Sequence, residues 1–403
     1  MSSLRQPPLS ASQIVIMNTV ATVFTRTLPL LIAVTAWAQQ SPLVYPGGHG
    51  PGRGKHVVLI SGDQEYRSEE SIPALAQILA VRHGFHCTVL FAVNRQTGKI
   101  DPNTIDNIPG LEALRHADLV VLFARWLELP DEQMKEIVDY TESGRPIVAL
   151  RTSTHPFNYR KHPESPYAKY SYDHKQFSGG YGRQVLGETW IAHYGAHQKQ
   201  STRGVIPAGM ENHPILRGVR DLWGESDVYE ITALSGDSRP LVMGQVLMGM
   251  DPASPPDPAK KLMPVAWTKT YTGSSGKPAR IFTSTMGHVM DFRNRGFRRM
   301  IVNACYWAVG LEKKISATRA VWSSSRPTIR TRSACAASRP KRYATSNSPG
   351  DHGGTAPARE ATSAPSRLAK SPVFAALQPA ARPCRNAAAN ASPAPTVSTT
   401  FTV

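Results

Sequence analysis

The chain has 403 residues and a formal net charge of +17, set by 46 Lys and Arg against 29 Asp and Glu. Ten Arg and two Lys follow Ile315, opposed there only by Asp351 and Glu360, so +10 of that charge lies in residues 316–403. The rest is mildly basic, which speaks for a solvated surface and against a nucleic-acid footprint. The four cysteines, Cys87, Cys305, Cys335 and Cys384, show no metal-ligand spacing.

Residues 1–38 read as a signal peptide with a second plausible start at Met17. Arg26 supplies the positive end, Leu28 to Trp37 a short apolar run, and Ala36-Trp37-Ala38 a cleavage pattern. That run is too short for an ordinary membrane span, so the expected location is periplasmic or secreted, without stable membrane insertion. Residues 39–54 are Pro/Gly-rich and read as a linker. From residue 316 onward Ala, Ser, Pro, Thr and Arg dominate without apolar periodicity, which predicts disorder. The excess of Arg over Lys there also fits a shifted reading frame in a GC-rich gene.

Between these ends, strand-like and helix-like segments alternate. His56 to Ser61, Phe85 to Val93, Leu119 to Phe123 and Pro146 to Leu150 read as buried strands. Ser68 to Arg82 and Pro130 to Ser143 read as helices, closed by Gly84 and Gly144. Shorter strands are expected at Val228–Ile231, Leu241–Val246, Pro264–Lys269 and Arg280–Ser284, and a last helix over Phe297–Val309. This alternation predicts an α/β domain whose mostly parallel sheet is covered on both faces, with ligands taken up at the carboxyl ends of the strands. Cys87 and Cys305 fall in apolar runs and are expected as buried thiols, a disulfide between them remaining open.

Polar residues cluster where that rule puts a cleft. Asp63, Glu65 and Arg67 follow the first strand. Arg125 and Trp126 follow the third. Arg151 and His155 follow the fourth. His193 and His197, four apart, would share a face if their segment were helical. His288 and Asp291 follow the last strand. No G-x-G-x-x-G, P-loop or G-x-S-x-G is present, so dinucleotide, triphosphate and α/β-hydrolase sites have no support. His155, before Pro156 on a loop, is a candidate general base or acid. Trp126, Trp190, Tyr181 and Tyr229 are candidates to stack on a sugar ring, against the plainer reading of core aromatics.

ALRTSTHPF at 149–157, FSGGYGRQVLGETW at 177–190, HPILRGV at 213–219, DVYEI at 227–231, PLVMGQVL at 240–247, PVAWTK at 264–269 and FTSTMGHVMDFRNRGFRRMIVNACYWAVG at 282–310 together resemble the ThuA-like (trehalose utilisation) family, over residues 55–315. The resemblance implies a flavodoxin-like three-layer αβα sandwich related to class I glutamine amidotransferases. Those enzymes carry a nucleophilic Cys at the fourth-strand elbow. Here the turn is Leu150-Arg151-Thr152-Ser153, so thiolate chemistry is not expected. Relatives often read His-His-Gly where this chain has His193-Tyr194-Gly195.

The resemblance also implies carbohydrate metabolism: hydrolysis or isomerisation of a disaccharide or 3-keto-glycoside, with an oxidoreductase as partner. In that reading His155, with His193 or His288, exchanges protons and Arg151 holds a developing oxyanion. Asp63, Glu65, Arg67, Arg125, Trp126, Tyr181, His197 and Asp291 contact the sugar. No cofactor is expected. A metal-dependent hydrolase and a non-catalytic sugar-binding protein are the rival readings.

Overall fold

The computed structural model describes residues 42–318. The leader, residues 39–41 of the linker and the tail from 319 onward, with Cys335 and Cys384, lie outside the described residues.

One sheet is built from β1 (Leu43–Tyr45), β2 (His56–Gly62), β3 (His86–Phe91), β4 (Leu119–Ala124), β5 (Ile147–Leu150), β6 (Thr202–Val205), β7 (Trp223–Gly224), β8 (Arg239–Val246), β9 (Met263–Thr272) and β10 (Pro278–Ser284). Their order is β1-β3-β2-β4-β5-β10-β9-β8-β6-β7. The block β3-β2-β4-β5-β10 is parallel, and every other pairing is antiparallel. The sheet is therefore mixed rather than mostly parallel.

The parallel strands read as continuous apolar runs because both faces are covered. Val57 and Leu59 join one core with α1 (Ser68–His83) and α3 (Arg295–Ala308). Val58 and Ile60, pleated the other way, join a second with α2 (Asp131–Glu142). Each fully buried Val, Leu, Ile or Phe adds about 1.5–3 kcal/mol relative to exposure. Gly84 closes α1 at φ 80°, its N–H donating to Ala80 O at 3.1 Å. Asn294 caps α3, its side chain accepting from Phe297 N at 2.8 Å.

Two expectations are corrected and one open alternative is decided. Residues 43–45 are not linker but an edge strand, antiparallel to β3 with Tyr45 opposite Cys87. The strand expected at Val228–Ile231 reduces to one bridge, His193 to Tyr229, because Asp227 and Tyr229 are drawn into the site described below. The segment from His193 to His197 is loop rather than helix. Cys87 and Cys305 are buried free thiols, and burial pushes the Cys305 thiol up to about 12.

The chain crosses from β3 on one side of β2 to β4 on the other, so the crevice at the carboxyl ends of β2 and β4 is a topological switch point. A buried segment that packs behind the β5 elbow is held by close backbone approach. Residues Gly182–Leu186 form one turn of π-helix. A Cβ on Gly182 would lie 1.9 Å from Thr154 O, beside His155. Gly182→Ala is therefore expected to destabilise the fold by roughly 1–3 kcal/mol, read as a lower urea midpoint at unchanged slope. An unshifted midpoint would contradict this packing.

Candidate active site

β5 ends in an elbow. Arg151 sits at φ 47°, in the left-handed region that favours glycine, and opens the 3-10 turn Arg151–Thr154. Its side chain is fully buried, stacked between the rings of Tyr229 at 3.8 Å and Tyr66 at 4.5 Å. It donates to the Asp227 carboxylate at 2.7 Å, to the Asp227 and Thr285 carbonyls, each at 2.7 Å, and to the Tyr66 hydroxyl at 3.1 Å. A buried guanidinium needs such pairing. The expected role as oxyanion holder is thus corrected: Arg151 anchors Asp227.

Asp227 is the centre of the site. Its Oδ2 accepts from His193 Nδ1 at 2.7 Å and its Oδ1 from His197 Nδ1 at 3.0 Å. Burial alone would push its carboxyl up, but Arg151 and the two histidine hydrogen bonds outweigh burial and hold it well below the usual range. The carboxylate only accepts, so both histidines are read as donating through Nδ1, which leaves each Nε2 for other chemistry. The two rings lie 4.7 Å apart, and about a third of the His193 side chain is exposed. His197 Nε2 is 3.4 Å from a Glu65 oxygen. The other Glu65 oxygen is 3.1 Å from Arg125 Nε, and the Arg125 guanidinium stacks 3.6 Å over Trp126.

His155 lies beneath this layer. Its ring is buried among Trp190 at 5.4 Å, Trp126 at 5.8 Å, Tyr229 at 6.1 Å and Tyr172 at 6.2 Å. Burial, then the charges of Arg125, Arg151 and His193, depress its basicity strongly, so the imidazole is neutral near pH 7. His288 stands across the Tyr66 ring from His197, at 5.7 Å and 6.0 Å from it respectively. Its Nδ1 accepts from Met290 N at 3.2 Å.

Four further expectations are corrected. Asp63 is fully buried. One oxygen accepts from Glu65 N at 3.0 Å and from Tyr66 N, and the other accepts from Thr152 Oγ1 at 2.9 Å, so it ties the β2 loop to the elbow. Asp291, also fully buried, accepts from Ser226 N, Ser226 Oγ and Gly287 N and organises that loop. Arg67 precedes α1 and pairs with Glu70 on its first turn. Tyr181 is core, its hydroxyl 2.8 Å from that of Thr141. Glu65, Arg125, Trp126, His193 and His197 do gather at one crevice. Asp227, which unites them, was not among the expected site residues, although it opens the DVYEI stretch at 227–231 that helps carry the family resemblance.

His193, His197 and Asp227 also have the composition of a metal site, with one donor atom from each lying within 4.8 Å of the others. Arg151 already neutralises the Asp227 carboxylate at 2.7 Å, and its cation would oppose a dication there.

The family model described as ThuA, trehalose utilisation, matches residues 56–308. The chain belongs to the ThuA family. Among solved structures, this ThuA chain is similar to a ThuA-like protein of Parabacteroides merdae ATCC 43184, at 16% identity and TM-score 0.42, covering 69% of this chain and 96% of that one. It is also similar to a ThuA-like protein of Bacteroides uniformis ATCC 8492, at 13% identity and TM-score 0.40, covering 66% and 95%. No curated protein matches it.

The depressed basicity of His155 fixes a pH dependence. The unfolded chain returns His155 to about 6.5, so the unfolded state binds more protons in acid. The stability gained by keeping His155 neutral is complete above about pH 6.5 and is lost as pH falls below it. His56 and His213, lowered in the same direction by burial first, add to this slope. Urea midpoints measured from pH 7.5 to 5 should fall, and less steeply in His155→Gln. Equal slopes would show that His155 protonates freely in the fold.

Proposed function

We propose that this ThuA chain is an exported carbohydrate-active enzyme that hydrolyses or isomerises a disaccharide or 3-keto-glycoside at the His193–Asp227 pair. The observation that carries this reading is a buried, ionised carboxylate fixing His193 through Nδ1 while a third of its side chain stays open. That arrangement orients a general base. Trp190, 5.4 Å from the His155 ring and only half-buried, supplies a large, partly wet aromatic surface of the kind that sugar rings pack against. The family description, trehalose utilisation, supports the substrate class.

In this mechanism His193 Nε2 takes a proton from a sugar hydroxyl, an acidic carbon or a water, and Asp227 stabilises the imidazolium. The protonated His193 then returns that proton to the leaving group or product, and His197, beside both Asp227 and Glu65, positions the two carboxylates. His155 stays neutral and positions the aromatic floor. An oxidoreductase would supply or consume a keto-sugar handled here. The strand order of the parallel block, with helices on both faces, supports reading that half as a flavodoxin-like sandwich extended by an antiparallel wing. The apolar leader supports a periplasmic or secreted location.

Turnover assays on trehalose and a panel of 3-keto-disaccharides test the proposal. His193→Gln should lower kcat about 10²–10⁴-fold with a small change in KM. Asp227→Asn should lower kcat too, since an amide no longer dictates the His193 tautomer. Calorimetric binding without turnover in the unaltered protein would instead establish a non-catalytic binder. The second reading, a metal-dependent hydrolase, is favoured by the 4.8 Å donor cluster. Elemental analysis of untagged protein decides it: one tightly held divalent ion per chain, lost in Asp227→Asn, would replace the general-base mechanism.

A further inference from the structure

Trp126 is held in an unusual way. Its backbone is left-handed at φ 48°. The strain is locked in by its own N–H donating to His155 O at 3.1 Å and by Leu127 N donating to Pro156 O at 2.7 Å. The Arg125 guanidinium lies 3.6 Å over the ring and is itself fixed to Glu65 at 3.1 Å. That face is therefore closed to a sugar, and the expected stacking role needs revision. The ring also packs 5.8 Å from His155 and 6.2 Å from Tyr172.

The indole Nε1–H is buried and finds no acceptor among the described residues. Indole nitrogen only donates, so it can be satisfied by nothing but a lone pair. Buried donors without acceptors are rare in native folds and mark places completed by a ligand or an ordered water. Here the donor belongs to a strained residue at the switch-point crevice, in the same aromatic group as the Asp227-anchored histidines.

We infer that Trp126 is a specificity-determining residue whose indole N–H donates to an oxygen of the bound sugar. The inference rests on the carbohydrate reading and adds to it a ligand with an acceptor oxygen at that point. A hydroxyl, ring or carbonyl oxygen serves; a deoxy position does not. A site built around a fixed donor rejects the analogue that leaves it unpaired.

The test is ¹⁵N–¹H NMR of the full chain titrated with trehalose and with its monodeoxy analogues. The Trp126 indole resonance is assigned by its loss in Trp126→Phe or, where that variant does not fold, by contacts to the His155 and Tyr172 rings. Trehalose should move this resonance downfield and slow its exchange. Trehalose affinity should fall roughly 3- to 10-fold in Trp126→Phe, as for one lost hydrogen bond. One deoxy analogue should bind the variant and the unaltered protein alike. If the Trp190 indole responds to trehalose while that of Trp126 does not, the inference fails and the carbohydrate reading stands. If neither responds to trehalose or to any of the 3-keto-disaccharides, both fail. Unchanged affinity in Trp126→Phe would assign the N–H to a structural water.

Discussion

Everything in the crevice depends on one buried ion pair, Arg151 with Asp227. Neither charge tolerates the interior alone, and removing one partner of such a pair costs roughly 3–5 kcal/mol. The pair joins the β5 elbow to a loop 76 residues later, at 2.7 Å. Two hydrogen bonds to carbonyls, one to the Tyr66 hydroxyl and two aromatic rings also surround the guanidinium. What Arg151 leaves of Asp227 is available to two histidines. The charge that stabilises the fold and the orientation of the reactive imidazoles are thus one interaction.

That coupling explains which parts of the site were legible in the sequence. The parallel strands announced themselves because unbroken apolar runs such as Leu119 to Phe123 have no other stable use at that length. Loops after those strands were the right place to look, since strand order alone puts the crevice there. The chemistry within it was less legible. Arg151, Asp63 and Asp291 look like ligand-binding residues by type and position. Each is instead fully buried and spent on holding loops together, which only burial reveals. Asp227 went unread for the opposite reason. It stands before a short β-branched run, where an acidic residue is usually a solvated turn.

The antiparallel wing was harder still. β6 and β7 are four and two residues long, too short for any periodicity to emerge. The Val228–Ile231 run has strand composition, yet Tyr229 stacks on a guanidinium and Asp227 binds histidines. Tertiary demand overrode local preference there. Spacing left one more point open: His193 and His197 are four apart, and a carboxylate 30 residues downstream of His197 brings them together, not a helical face.

The ends of the sheet carry a separate lesson. A ten-stranded sheet has two free borders, and exposed backbone along them is a template on which other chains can add strands. Here the outermost members are only three and two residues long. Each offers little more than one repeat of unpaired amides and carbonyls, too few for a stranger to zip onto. The large central sheet can therefore be rich in β-branched residues without inviting fibrous self-association.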